Sequence, residues 1–273
     1  MLAASIIVLR ESFEAALLIG IIAAATRSIA KRGRWITAGV LAGFAGACIV
    51  AALTGRIATL FEGAGQELFN VAVLGLAVIL LGWHNIWMSV HGADLAAGAR
   101  QVGRDIDDGR RSLSAIMTVI ALAVLREGSE SVLFLYGLMS SGETTVWSIA
   151  TGALLGLCMG VALGAVLYVG MLKIPMRWFF AVTSTLILLI AAGMASRVAQ
   201  YLIQVDLLPS LKTPLWDLSP VLPTDSIAGS VLRALMGYDA APAGMQVLFY
   251  AVTVLVILTG MRFARTQSST STR

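Results

Sequence analysis

Seven apolar runs, each long enough to cross a bilayer as a helix, divide the chain. They predict helices over residues 2–26, 36–60, 67–91, 113–139, 145–171, 177–203 and 244–263. Between the sixth and seventh lies a stretch rich in Pro and Asp, 204–243, with an amphipathic piece near 226–237. Residues 92–112 mix both charges and predict a solvated, partly helical connector. The Ser/Thr-rich tail, 264–273, predicts disorder.

Two of the apolar runs are broken by charge in the same way. The first carries Arg10-Glu11-Ser12-Phe13-Glu14 and the fourth carries Arg126-Glu127-Gly128-Ser129-Glu130. A charged residue at mid-bilayer costs about 2.5–3.5 kcal/mol on insertion scales, so six would cost roughly 15–20 kcal/mol if nothing offset their burial. Such a load marks an ion or proton pathway. On a helix, Glu11 and Glu14 share a face, as do Glu127 and Glu130. Arg10 reaches Glu14, and Arg126 reaches Glu130, at the i,i+4 spacing. Two such helices facing each other would present four carboxylates and two guanidiniums in a dry cavity. The structural alternative, Arg–Glu pairs that only lock helices together, explains one copy better than two matched copies.

Composition agrees with the runs: 58% of residues are hydrophobic, 12% are charged and the mean hydropathy is +0.88. That makes an integral membrane protein of all-α class. Cys48 and Cys158 stand alone in apolar runs and form neither a disulfide framework nor a zinc motif. The first run holds Arg10 and no small-residue cleavage site, so it is expected to stay as a helix. No nucleic-acid motif is visible. The net charge of +4 matters less than its placement. Thirteen basic residues follow the first, third, fifth and seventh runs, including Arg27, Arg34, Arg104, Arg110, Lys173 and Arg262. The other side holds only Arg56, Arg197, Lys212 and Arg233, among seven acids that include Glu62, Glu67, Glu143 and Asp217. The positive-inside rule then predicts an outer N-terminus and a cytoplasmic C-terminus, with an acidic outer mouth that concentrates cations.

The repeat extends beyond the charges. Val8-Leu9-Arg10-Glu11 matches Val124-Leu125-Arg126-Glu127, and Gly39-x-Leu41-x-Gly43 in the second run matches Gly152-x-Leu154-x-Gly156 in the fifth. Three helices per unit make the two units antiparallel across the membrane, a three-plus-three inverted repeat followed by a C-terminal helix. The expected organisation is a single transporter domain: repeat one over 1–91, connector 92–112, repeat two over 113–203, outer loop 204–243, last helix 244–263 and tail 264–273.

Glutamate oxygens suit hard or borderline cations rather than copper(I). Four Glu and two Arg sum to −2, which favours a highly charged ion. His84, Met88 and His91 fall at i, i+4 and i+7 of the third run and are weaker candidates for relaying a softer ion; packing or an interfacial position is the plainer explanation. Trp83, Trp87 and Trp178 read as packing or interface anchors. A rival of another class is an intramembrane carboxylate-dependent lipid-phosphate hydrolase, but no phosphate-binding loop or histidine nucleophile accompanies the glutamates, and no HExxH is present. A transporter of manganese or lead is the same-class alternative.

These stretches together resemble the oxidase-dependent iron permease family, the high-affinity iron transporters of fungi and bacteria, and most of all its short bacterial members. The likeness is carried by RESFEAALLIG, GQELFNVAV, WHNIWM, LREGSESVLFL, TSTLILLIAAGMAS, WDLSPVL and GYDAAP, which cover nearly the whole chain. It implies a permease, not an enzyme, that moves iron ions through the cytoplasmic membrane of a bacterium. Glu11, Glu14, Glu127 and Glu130 would handle the iron, with Arg10 and Arg126 as charge partners and Glu67 and Asp217 as entry residues at the outer mouth. No permanently bound cofactor is implied. An oxidase, cupredoxin or other iron-delivery protein outside the membrane is implied as partner. The family usually has Gly-Leu inside the motif, where this chain has Ser12-Phe13 and Gly128-Ser129. Asn70 stands where a second entry glutamate is expected.

Overall fold

The structure, a computed structural model, describes residues 1–26, 29, 31–59, 66–108, 110–141, 145–168 and 176–270. The described residues form α1 (Leu2–Ala25), α2 (Arg32–Thr59), α3 (Gln66–Asp107), α4 (Ser114–Ser140), α5 (Val146–Tyr168), α6 (Met176–Gln204), a short α7 (Ile227–Met236) and α8 (Gly244–Thr270). No strand occurs among them. The chain is a multi-pass, all-helical membrane protein. Segments of α2, α3, α5, α6 and α8 are long and apolar enough to cross a bilayer without help. Helices α1 and α4 have the length as well, at 24 and 27 residues, but each carries the three charges of its motif in mid-helix.

Burial is arranged as a lipid solvent demands. Large apolar side chains such as Leu41, Phe44, Ile49, Leu154 and Leu255 lie exposed on the outside, while Arg10, Glu11, Glu14, His84, Asn85 and Glu127 are inside. Lipid offers no hydrophobic drive between helices, so close backbone approach must hold them. The chain supplies it with glycine. Helix α1 runs along α5, and α2 along α4. A Cβ on Gly43 would collide with the Ala121 carbonyl oxygen and the Leu125 amide of α4, and one on Gly156 with the Ser5 carbonyl oxygen and the Leu9 amide of α1.

The main core joins α1, α3, α4 and α6 through Ile7, Leu74, Leu81, Phe134, Ile187 and Met194. Helix α6 is its most enclosed member: every residue from 190 to 196 is buried. A second cluster packs Ile106 on Ile22, Ile116 and Ile120. That cluster corrects the expected end of α3. The helix continues through the connector to Asp107 because Val102 and Ile106, one turn apart, give the charged stretch an apolar face. Its end is tied off by Asp105, which faces Arg110 at 3.4 Å and Arg111 at 3.5 Å. Helix α8 likewise passes the boundary expected at 263; no Gly or Pro follows Gly260, and Thr266 Oγ1 donates to the Arg262 carbonyl.

The segment between α6 and α8 is ordered by pairing. Leu215 and Leu218 amides donate to the Pro242 and Ala240 carbonyls, which joins the WDLSP segment to GYDAAP. The amphipathic piece near 226–237 is α7. Ser226 caps it by accepting from the Gly229 amide, and Gly237 ends it at φ 67°, the left-handed conformation glycine tolerates.

Candidate functional site

The two charged triplets face one another inside the bundle. Arg10 is fully buried and donates from Nε to Glu14 Oε1 at 2.9 Å. Arg126 donates from Nε to Glu130 Oε1 at 3.1 Å and lies 3.8 Å from Glu127 Oε1. These are the i,i+4 pairs expected from the spacing. From α3, His84 enters between the two helices, with Nε2 at 3.7 Å from Glu11 Oε2 and Nδ1 in direct contact with Glu130 Oε2.

Donor atoms from Glu11, Glu14 and His84 lie within 4.8 Å of one another, and so do donor atoms from Glu11, Glu127 and Glu130. Glu11 belongs to both groups. Both of its oxygens, Glu14 Oε2, Glu127 Oε2, His84 Nε2 and the two Nη atoms of Arg10 are buried with no hydrogen-bond partner among the described residues. Converging carboxylate oxygens and an imidazole nitrogen, buried beside the Arg10 guanidinium, are an arrangement that could hold a cation, a candidate cage.

The copies are not equivalent. Arg10 and Glu14 are sealed, whereas Arg126 is 38% exposed and Glu130 23%. Arg126 lies 4.4 Å from the centroid of the Trp87 ring, a cation–π contact. A cavity of about 120 Å³ reaches Glu130 and His84 there, between Trp83, Trp87, Leu80 and Phe134. The cage is therefore closed on the α1 side and approachable on the α4 side.

His84, a weaker candidate by spacing, lies against the motif glutamates. It continues the buried stripe Leu74, Ala77, Leu81 at helical intervals, and that stripe was the signal. His91 stays outside the cage, exposed and stacked on Trp87 at 4.8 Å. Asn85, also fully buried, donates from Nδ2 to the Ser184 carbonyl at 3.0 Å and pins α3 to α6.

Asp217 lies fully exposed in the loop between α6 and α7, where hydrogen bonds from the Ser219 side chain and amide hold its carboxyl below the usual carboxylate range. Among the described residues, no hydrogen bond or ion pair joins it to the motif glutamates. The Glu67 side chain lies outside the described residues, as do Glu62, Glu143, Arg27, Lys173 and the side chains of Arg177 and Trp178.

A family model described as the iron permease FTR1 family matches residues 1–269. A protein named ferrous iron permease EfeU from Shigella sonnei is 31% identical over 280 residues, covering 98% of each chain. One of the same name from Escherichia coli O6:H1 is 32% identical over 281 residues, again covering 98% of each. A third, from Yersinia pestis, is 29% identical over 257 residues, covering 93% of this chain and 90% of the relative. No solved structure matches the chain.

Proposed function

The chain belongs to the iron permease FTR1 family, and from that premise we propose that it carries iron inward across the cytoplasmic membrane of a bacterium through the cage between α1 and α4. The observation that carries this reading is the convergence of Glu11, Glu127 and Glu130, from two different helices, with their donor atoms within 4.8 Å. With four glutamates ionised and His84 neutral, the two motifs sum to −2, so a divalent ion makes the cage neutral. The relatives' names specify ferrous iron, which is the substrate to offer first.

The two overlapping groups suit a handover. An ion held by Glu11, Glu127 and Glu130 moves to Glu11, Glu14 and His84 without leaving Glu11. Arg10 and Arg126 hold Glu14 and Glu130 while the cage lacks its ion and release them when it fills. A carboxylate paired this way is not stranded in either state.

Seven spans with the N-terminus outside, built as an inverted repeat, is the architecture we favour. Matched packing supports it: Gly39 and Gly43 of α2 rest on Met117 and Ala121 of α4, as Gly152 and Gly156 of α5 rest on Met1 and Ser5 of α1. Those positions correspond when Arg10 is aligned with Arg126. Glu67 and Asp217 would gather cations at the outer mouth, and a delivery protein or oxidase outside the membrane would supply the iron.

Iron uptake by reconstituted vesicles, with iron offered as the ferrous or the ferric ion, tests the function. The double substitution Arg10→Gln with Glu14→Gln separates ligand from strut. It keeps the helices free of a stranded charge, and the protein is expected to fold and remain dead for iron uptake. Recovery of uptake would reduce the motif to a structural role.

A further inference from the structure

His84 is 4% exposed, and both of its ring nitrogens face carboxylates. Its Nδ1 lies against Glu130 Oε2, a contact that favours the tautomer with the proton on Nδ1. Nε2 then points a lone pair at Glu11 Oε2, 3.7 Å away, and neither atom has a hydrogen-bond partner among the described residues. Two acceptors so placed repel unless a cation lies between them. Metal–ligand bonds of about 2.1 Å in tetrahedral geometry put two donors about 3.4 Å apart, close to the separation found here. A carboxylate that receives one imidazole N–H while the other nitrogen faces a cation is also the usual way a ligating histidine is oriented.

We propose that His84 Nε2 is a ligand of the transported ion, and that this single nitrogen makes an otherwise all-oxygen cage prefer first-row transition-metal ions such as ferrous iron to magnesium and calcium. The proposal rests on the carboxylate site above and deepens it. Carboxylates alone suit magnesium and calcium well, and both are hard oxygen-seeking ions; imidazole adds affinity for iron that neither can use.

The chain has two histidines, which makes the test direct. Purified protein is loaded with copper(II), and pulsed electron paramagnetic resonance reads nitrogen coupling to the ion. An imidazole coupling should appear, change when histidine is labelled with nitrogen-15, and survive His91→Gln. Its absence from the His91→Gln protein overturns the proposal without any change at position 84. In vesicles, His84→Gln should lower by at least tenfold the magnesium concentration that halves ferrous iron uptake. Unchanged competition in a folded His84→Gln protein overturns the selectivity role. Failure of the carboxylate site would look different: Glu11→Gln and Glu127→Gln would transport iron normally.

Discussion

Arg10 and Glu14 form a 2.9 Å ion pair from which solvent is almost wholly excluded, yet both Nη atoms of the arginine lack an acceptor among the described residues. A purely structural pair would be expected to use those donors, because an unsatisfied buried charge is costly. Their availability fits a guanidinium that changes partners as an ion arrives. The corresponding Arg126 stands over Trp87 beside the cavity that reaches Glu130, so the two motifs differ in exposure and contacts.

Packing predicts a sharp contrast between glycines. Gly156→Ala puts a methyl group onto the backbone of α1 at Ser5 and Leu9, the residue before Arg10. Overpacking of this kind costs about 1–3 kcal/mol, and a lower melting temperature in detergent is the expected result. Gly75→Ala meets nothing within 4 Å and should leave the melt unchanged or raise it slightly. Equal effects at the two positions would mean that α5 does not hold α1 in this register.

Orientation can be read by labelling. With the exposed Cys48 and Cys158 replaced, a cysteine introduced at Ser269 should react with an impermeant thiol reagent only from the cytoplasmic side. Reaction in intact cells would invert the topology and place the acidic loop inside.

The exposed Asp217 makes a prediction about acid. Because hydrogen bonds from Ser219 depress the pKa of Asp217, its carboxylate stays ionised as pH falls below the ordinary value of about 3.9. If that charge gathers iron, Asp217→Asn should reduce uptake at limiting iron and low salt but not at saturating iron. The difference from wild type should persist from pH 7 down to about 4. Loss of the difference near neutral pH would show that another group supplies the field.

Much of this was legible in the chain. The apolar runs placed α1, α4 and α6 within about two residues of their observed ends, because a bilayer span is a long and unambiguous pattern. The Arg–Glu pairs were legible because helical spacing alone fixes them. The extension of α3 was not, since Val102 and Ile106 are two apolar residues in a charged stretch and acquire meaning only against Ile22 and Ile116. Nor was the separation of His84 from His91. Spacing put them on one face, but the rotation of α3 is set by Leu74 and Leu81 packing on α4 and α6, and the stripe leaves the core before residue 91.

Glu11 is shared by both donor groups, so ferrous iron uptake by the Glu11→Gln protein tests the cage most directly. The amide keeps the shape and is cheaper to bury than a carboxylate, so the protein should insert and melt like wild type. Uptake should fall at least tenfold, since a loss of about 1.4 kcal/mol in binding is already tenfold. A folded Glu11→Gln protein that transports iron at the wild-type rate would contradict the carboxylate cage as the path of the ion.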